Sequence, residues 1–174
     1  MENGITKNLM LLFASVLILF IFLETAVNIF VDIPRFHKRL NDIWWIGIPH
    51  NQGTYKTSEF SADYEFNSLG FRDYDYNPEK NPDTCRIAVL GDSFTESLEV
   101  GLNQSWPKLL EKRLNNMPNM KFEVINFGLS GAGTSTEYFV MREYVSDFKP
   151  DATILLFFTL NDINDNYFRN QPKT

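Results

Sequence analysis

The chain has 174 residues, a formal net charge of −6 and 44% apolar residues, 16 of them phenylalanine. That is the length of one domain, with enough apolar side chains for a core. The acidic balance excludes the basic stripe a nucleic-acid partner requires, and the single cysteine, Cys85, excludes an intramolecular disulfide framework.

Leu9 to Leu23 (LMLLFASVLILFIFL) is almost wholly apolar, and after Glu24 the trend resumes through Val31. A membrane-spanning helix needs about 20 apolar residues. A cleaved signal peptide has a shorter apolar region and a small-x-small site, a register that Glu24 and Asn28 spoil around Ala26. The expectation is an uncleaved, single-pass membrane anchor over residues 1–31, ahead of a cleaved signal or a buried core helix. Lys7 precedes the run, whereas Arg35, Lys38 and Arg39 follow it. Read literally, the positive-inside rule puts the following segment in the cytoplasm.

Residues 32–82 form an aromatic-rich, membrane-proximal extension. Arg35 to Trp45 reads as a short interfacial helix. Trp44, Trp45 and the tyrosines fit either a membrane-interface belt or the packing of a loop-rich extension onto a core. Asn77-Pro78 and Asn81-Pro82 mark turns.

From residue 83 the pattern is regular. Ile87 to Leu90 is a short apolar run ending in Gly91, as in a buried parallel strand. Trp106 to Leu114 has helical spacing, with Pro107 suited to the first turn. Phe122 to Phe127 reads as a second strand. Ser135 to Val145 reads as a second helix capped by Thr134 or Ser135, and Ala152 to Phe158 as a third buried strand. This alternation predicts βαβ units and an open parallel sheet covered by helices, with ligands beyond the carboxyl ends of the strands.

Chemistry-bearing residues follow each strand. Gly91-Asp92-Ser93 follows the first, Gly128 the second, and Asn161-Asp162 the third. A serine on a tight strand-to-helix turn is exposed to substrate, and its own N–H, near a helix start, can face a developing oxyanion. A glycine allows close backbone approach, so the Gly128 N–H offers a second donor, and the Asn161 amide a third. Asp92 and Asp162 are expected to accept backbone N–H groups around their turns. Asp162, Asn164, Asp165 and Asn166 lack the glycine and distal glutamate of a calcium loop, so no metal or other cofactor is expected.

These blocks resemble those of the SGNH hydrolases, or GDSL-type esterases, named for Ser, Gly, Asn and His from four blocks. RIAVLGDSFTES, VINFGLSGAGTS and KPDATILLFFTLND are similar to family segments in order and spacing, and FNSLGFRD at Phe66–Asp73 resembles a stretch ahead of the domain in membrane-anchored members. The resemblance implies a flavodoxin-like three-layer α/β fold, of which residues 83–174 hold the first three strands. It implies Ser93 as nucleophile, with Ser93 N–H, Gly128 N–H and Asn161 binding the oxyanion. The implied substrate is a small acyl ester, such as acetyl on a cell-envelope carbohydrate or lipid, in hydrolysis or acyl transfer, with the domain outside the cytoplasm. The family's fourth block, Asp-x-x-His, has no counterpart here, since the only histidines, His37 and His50, lie upstream of Ser93. The expectation is therefore a C-terminally incomplete hydrolase domain without a working base. The alternative is a non-catalytic, membrane-tethered binding fragment.

Overall fold

A computed structural model describes residues 2–30, 36–39, 45–118, 120–160, 162 and 163. The chain divides into two compact units, Met1–Pro34 and Arg35–Thr174.

The first unit is helix α1 (Glu2–Phe30). Its segment Gly4–Val27, 24 residues of mean hydropathy 2.5, is long and apolar enough to cross a membrane, and none of its most apolar window is buried. At 1.5 Å per residue it exceeds the roughly 30 Å hydrocarbon thickness. A core helix buries an apolar stripe; this one does not.

In the second unit, β1 (His37–Arg39) pairs antiparallel with β2 (Trp45–Gly47), His37 opposite Gly47. The interfacial helix expected over Arg35–Trp45 is thus replaced at both described ends by strands; residues 40–44 lie outside the described residues. Packing decides this, because Ile46 is fully buried and Phe36 sits edge-on to Tyr55 and Tyr64 with centroids 4.8 Å away in each case. A second hairpin joins β3 (Gln52–Lys56) to β4 (Ser61–Glu65). Its turn is held by Thr57 Oγ1, which accepts the N–H groups of Glu59 and Phe60. Strand β4 buries Ala62 and Tyr64 and exposes its other residues, the period of two that marks a half-buried strand.

Strands β5 (Thr84–Leu90), β6 (Lys121–Asn126) and β7 (Ala152–Leu155) form a parallel sheet of order β6-β5-β7. Helix α3 (Trp106–Leu114) crosses from β5 to β6, and α4 (Thr134–Glu143) crosses from β6 to β7. The α/β parallel architecture expected from the sequence is therefore present. With β5 central, the two connections run in opposite directions, and right-handed crossovers of that kind carry their helices to opposite faces. The carboxyl end of β5 is a topological switch point, where such sheets bind ligands.

Two local expectations change. Helix α4 is capped by Gly133, without a side-chain cap bond, rather than by Thr134 or Ser135. Strand β7 is shorter than Ala152–Phe158 and exposed at all four residues; among the described residues it pairs only with β5. The core gathers Ala88, Leu90, Ile125, Phe127, Val140 and Phe148 together with Ile46 and Phe71 from the extension. Phe71 meets Phe127 edge-on at 5.0 Å. These extension side chains therefore pack onto the domain core.

Candidate active site

The strand ends stay bonded to their neighbours past the sheet. Phe127 N–H donates to Val89 O, Leu129 N–H to Gly91 O and Leu156 N–H to Leu90 O, at 2.8, 3.0 and 2.9 Å. The turns after β5, β6 and β7 are consequently held at one edge.

After β5, Asp92 is fully buried and caps the one-turn helix α2 (Ser93–Glu96). Its Oδ1 accepts Phe94 N–H at 3.0 Å, and its carbonyl accepts the N–H groups of Thr95 and Glu96. Ser93 is the first residue of this turn and is half-buried. Its hydroxyl makes no hydrogen bond among the described residues. Gly91 is required for space: a Cβ there would lie 2.2 Å from Thr95 Oγ1.

After β6, Gly128 approaches α2 so closely that a Cβ would lie 2.5 Å from Glu96 N and 2.7 Å from the Thr95 carbonyl carbon. Its N–H donates to Asn126 Oδ1 at 2.9 Å. Asn126 is a buried junction. Its Nδ2 donates to Thr95 O at 2.8 Å and its backbone N–H to Asp73 Oδ2 at 2.7 Å. After β7, Asn161 lies outside the described residues. Its neighbour Asp162 is fully buried and accepts Phe158 N–H through Oδ2 at 2.6 Å. Asp92 and Asp162 both shape their turns, as expected of them.

FNSLGFRD (Phe66–Asp73) holds none of the site residues expected from the sequence. In the structure it is the brace behind the serine turn. Asn67 Oδ1 accepts Leu69 and Phe71 N–H, and Gly70 turns at φ 90°, which favours glycine. That turn drives Arg72 to full burial, where its guanidinium donates to the carbonyls of Glu96, Ser97, Val100 and Asp63. A fixed cation thus satisfies the open C-terminal carbonyls of α2. Burial lowers the Arg72 pKa, opposed by the charges of Glu96, Glu99 and Asp73. Asp73 pairs with Lys108 Nζ at 2.7 Å. Burial nevertheless pushes the Asp73 carboxyl up to about 6, against the lowering effects of Lys108 and of the Asn126 and Tyr74 N–H groups.

Glu96 ties three segments together. Its carboxyl is fully buried; Oε1 lies 2.6 Å from His37 Nε2, and Oε2 accepts the Ser130 N–H at 3.0 Å and the Ser130 hydroxyl. His37 is therefore engaged from β1, while His50 is exposed at a turn with φ 58°. Neither bonds to Ser93. Among the described residues no group of three or more His, Cys, Asp or Glu is placed to hold a metal ion.

Residues 87–174 match the family described as GDSL-like Lipase/Acylhydrolase. No individual curated protein matches the chain. The match starts within β5 and takes in all three strand-end turns. With the parallel sheet and the serine turn at its switch point, it shows that the chain belongs to the GDSL-like lipase/acylhydrolase family, the SGNH hydrolases.

Proposed function

We propose that the domain is a serine esterase in which Ser93 attacks an acyl ester carbonyl. The observation that carries this reading is the half-open Ser93 on the capped turn at the end of the central strand, inside the family match. The Ser93 N–H, the Gly128 N–H and the Asn161 side chain are the proposed oxyanion donors. Each such donor is worth about 2.7–4 kcal/mol. For Gly128 this requires its N–H to exchange Asn126 Oδ1 for the substrate oxygen. The substrate class is an acyl ester, such as O-acetyl on a cell-envelope carbohydrate or lipid. Helix α1 serves as the membrane anchor, and the domain lies outside the cytoplasm.

Attack needs a base to take the Ser93 proton, and no Asp-x-x-His occurs in these 174 residues. A general base contributes roughly 10²–10⁴-fold. The chain should therefore react slowly with a fluorophosphonate probe at Ser93, faster with added imidazole, and not after Ser93→Ala. Labelling that survives Ser93→Ala, or no Ser93-dependent labelling even with imidazole, sinks the esterase reading. The latter result instead favours a second reading, a membrane-tethered module that binds without turnover. The Ser93 hydroxyl, unbonded among the described residues, and the occupied Gly128 N–H support that alternative.

A further inference from the structure

Glu137 stands on the buried stripe of α4, between Thr136 and Val140. It is only 2% exposed, and neither carboxyl oxygen has a hydrogen-bond partner among the described residues. The charged groups acting on it are Asp162, from the turn after β7, and Asp92, from the cap of α2. Both are fully buried and acidic, and both already accept a backbone N–H. An ionised carboxylate in that position would be desolvated, unbonded and beside two like charges. Each of these conditions favours the neutral form. The three carboxyls do not form a metal-ligand group, and among the described residues the relief available is a proton.

We propose that Glu137 is held as a neutral carboxylic acid below neutral pH, and that its proton spares the Asp92 and Asp162 turns beside Ser93 the repulsion of a third buried charge. Glu137 is then a positioning residue: it touches neither substrate nor the reacting atoms. Its role toward the site rests on the Ser93 reading, whereas its proton does not.

The pKa agrees with this placement. Burial, then Asp162, then Asp92 raise the Glu137 carboxyl from 4.5 to about 7. The folded protein therefore binds this proton more tightly than the unfolded chain does. The stabilisation is complete below about pH 4.5 and is lost progressively as pH rises through about 7.

The test uses the full chain in detergent micelles, with ¹³C-carboxyl glutamate and Glu137→Gln to assign the resonance. Glu137 should titrate with a midpoint near 7. A midpoint in the ordinary glutamate range overturns the proposal. The positioning role is read from amide exchange at Phe94 and Phe158, the donors to Asp92 and Asp162. After correction for intrinsic rates, their protection should drop several-fold as pH passes the Glu137 midpoint in the wild type, and stay level in Glu137→Gln. The same drop in both proteins overturns the positioning role. If Glu137→Gln fails to fold, through-bond assignment in the wild type gives the titration directly. Protection that then stays level through the Glu137 midpoint also overturns the role. None of these readouts needs turnover, so they stand or fall separately from the esterase reading.

Discussion

His37 Nε2 and Glu96 Oε1 lie 2.6 Å apart although 59 residues separate them in the chain. The contact joins β1 to the helical turn that begins at Ser93. The other oxygen of the same carboxylate holds both the N–H and the hydroxyl of Ser130, two residues beyond Gly128. One buried carboxylate therefore couples the extension to two of the three strand-end turns.

Removing the imidazole leaves Glu96 Oε1 without its donor in a buried setting. His37→Ala should cost about 1–3 kcal/mol, measured by thermal unfolding of the chain in detergent. Exchange at the Ser130 amide should quicken as the carboxylate loosens. An unchanged melting temperature together with unchanged Ser130 exchange would show that the contact carries no weight.

Arg72 offers a sharper case, because its planar fork reaches four carbonyls from a fully buried position. A lysine ammonium is a point charge and cannot span them. Arg72→Lys keeps the charge but orphans carbonyls at the C-terminus of α2. The expected loss is at least about 2 kcal/mol, read from urea denaturation, and Ser93 labelling should fall with it. Retention of wild-type stability in Arg72→Lys would refute the bracing role.

The sheet was largely legible in the sequence because buried parallel strands are short apolar runs, and Ile87–Leu90 and Phe122–Phe127 are of that kind. The serine turn was legible for the same reason: Gly91-Asp92-Ser93 follows such a run directly. What escaped depends on contacts made far along the chain. The partners of Arg72 are backbone carbonyls, which no side-chain pattern reveals. His37 lies in the stretch that reads as an interfacial helix, and its partner Glu96 is too distant in sequence for any local pattern to pair them. The β3–β4 hairpin was missed although Ala62, Tyr64 and Phe66 alternate with polar residues. Glu137 did leave a signal, a lone acid on the apolar stripe of a regular helix.

Gly128 tests whether glycine is needed there for space. Its backbone dihedral is not in the left-handed region, but a Cβ would strike the Glu96 nitrogen at 2.5 Å. The obstacle is backbone, so α2 itself must move. Gly128→Ala should cost about 1–3 kcal/mol by overpacking and should displace the Ser93 turn. Amide shifts confined to Ser93–Ser97 and Asn126–Ser130 are expected in two-dimensional NMR. A variant with wild-type stability and unshifted Ser93 and Glu96 amides would contradict the close approach.

Asp73 gives the pH dependence its sign. Two influences oppose each other: burial favours the neutral acid, whereas Lys108 at 2.7 Å favours the carboxylate. Burial is the larger, so the folded-state value rises from 3.8 to about 6. Between those values the native protein holds a proton that the unfolded chain has released, and stability therefore falls as pH rises across that window and levels off above it. Asp73→Asn cannot titrate, so the difference in unfolding free energy between wild type and variant isolates this group from Glu137 and from the exposed acids. That difference should shift against the wild type by about 2 kcal/mol from pH 4 to pH 6. If it shifts in favour of the wild type over the same range, the Lys108 pair outweighs burial and the carboxyl titrates below its ordinary value.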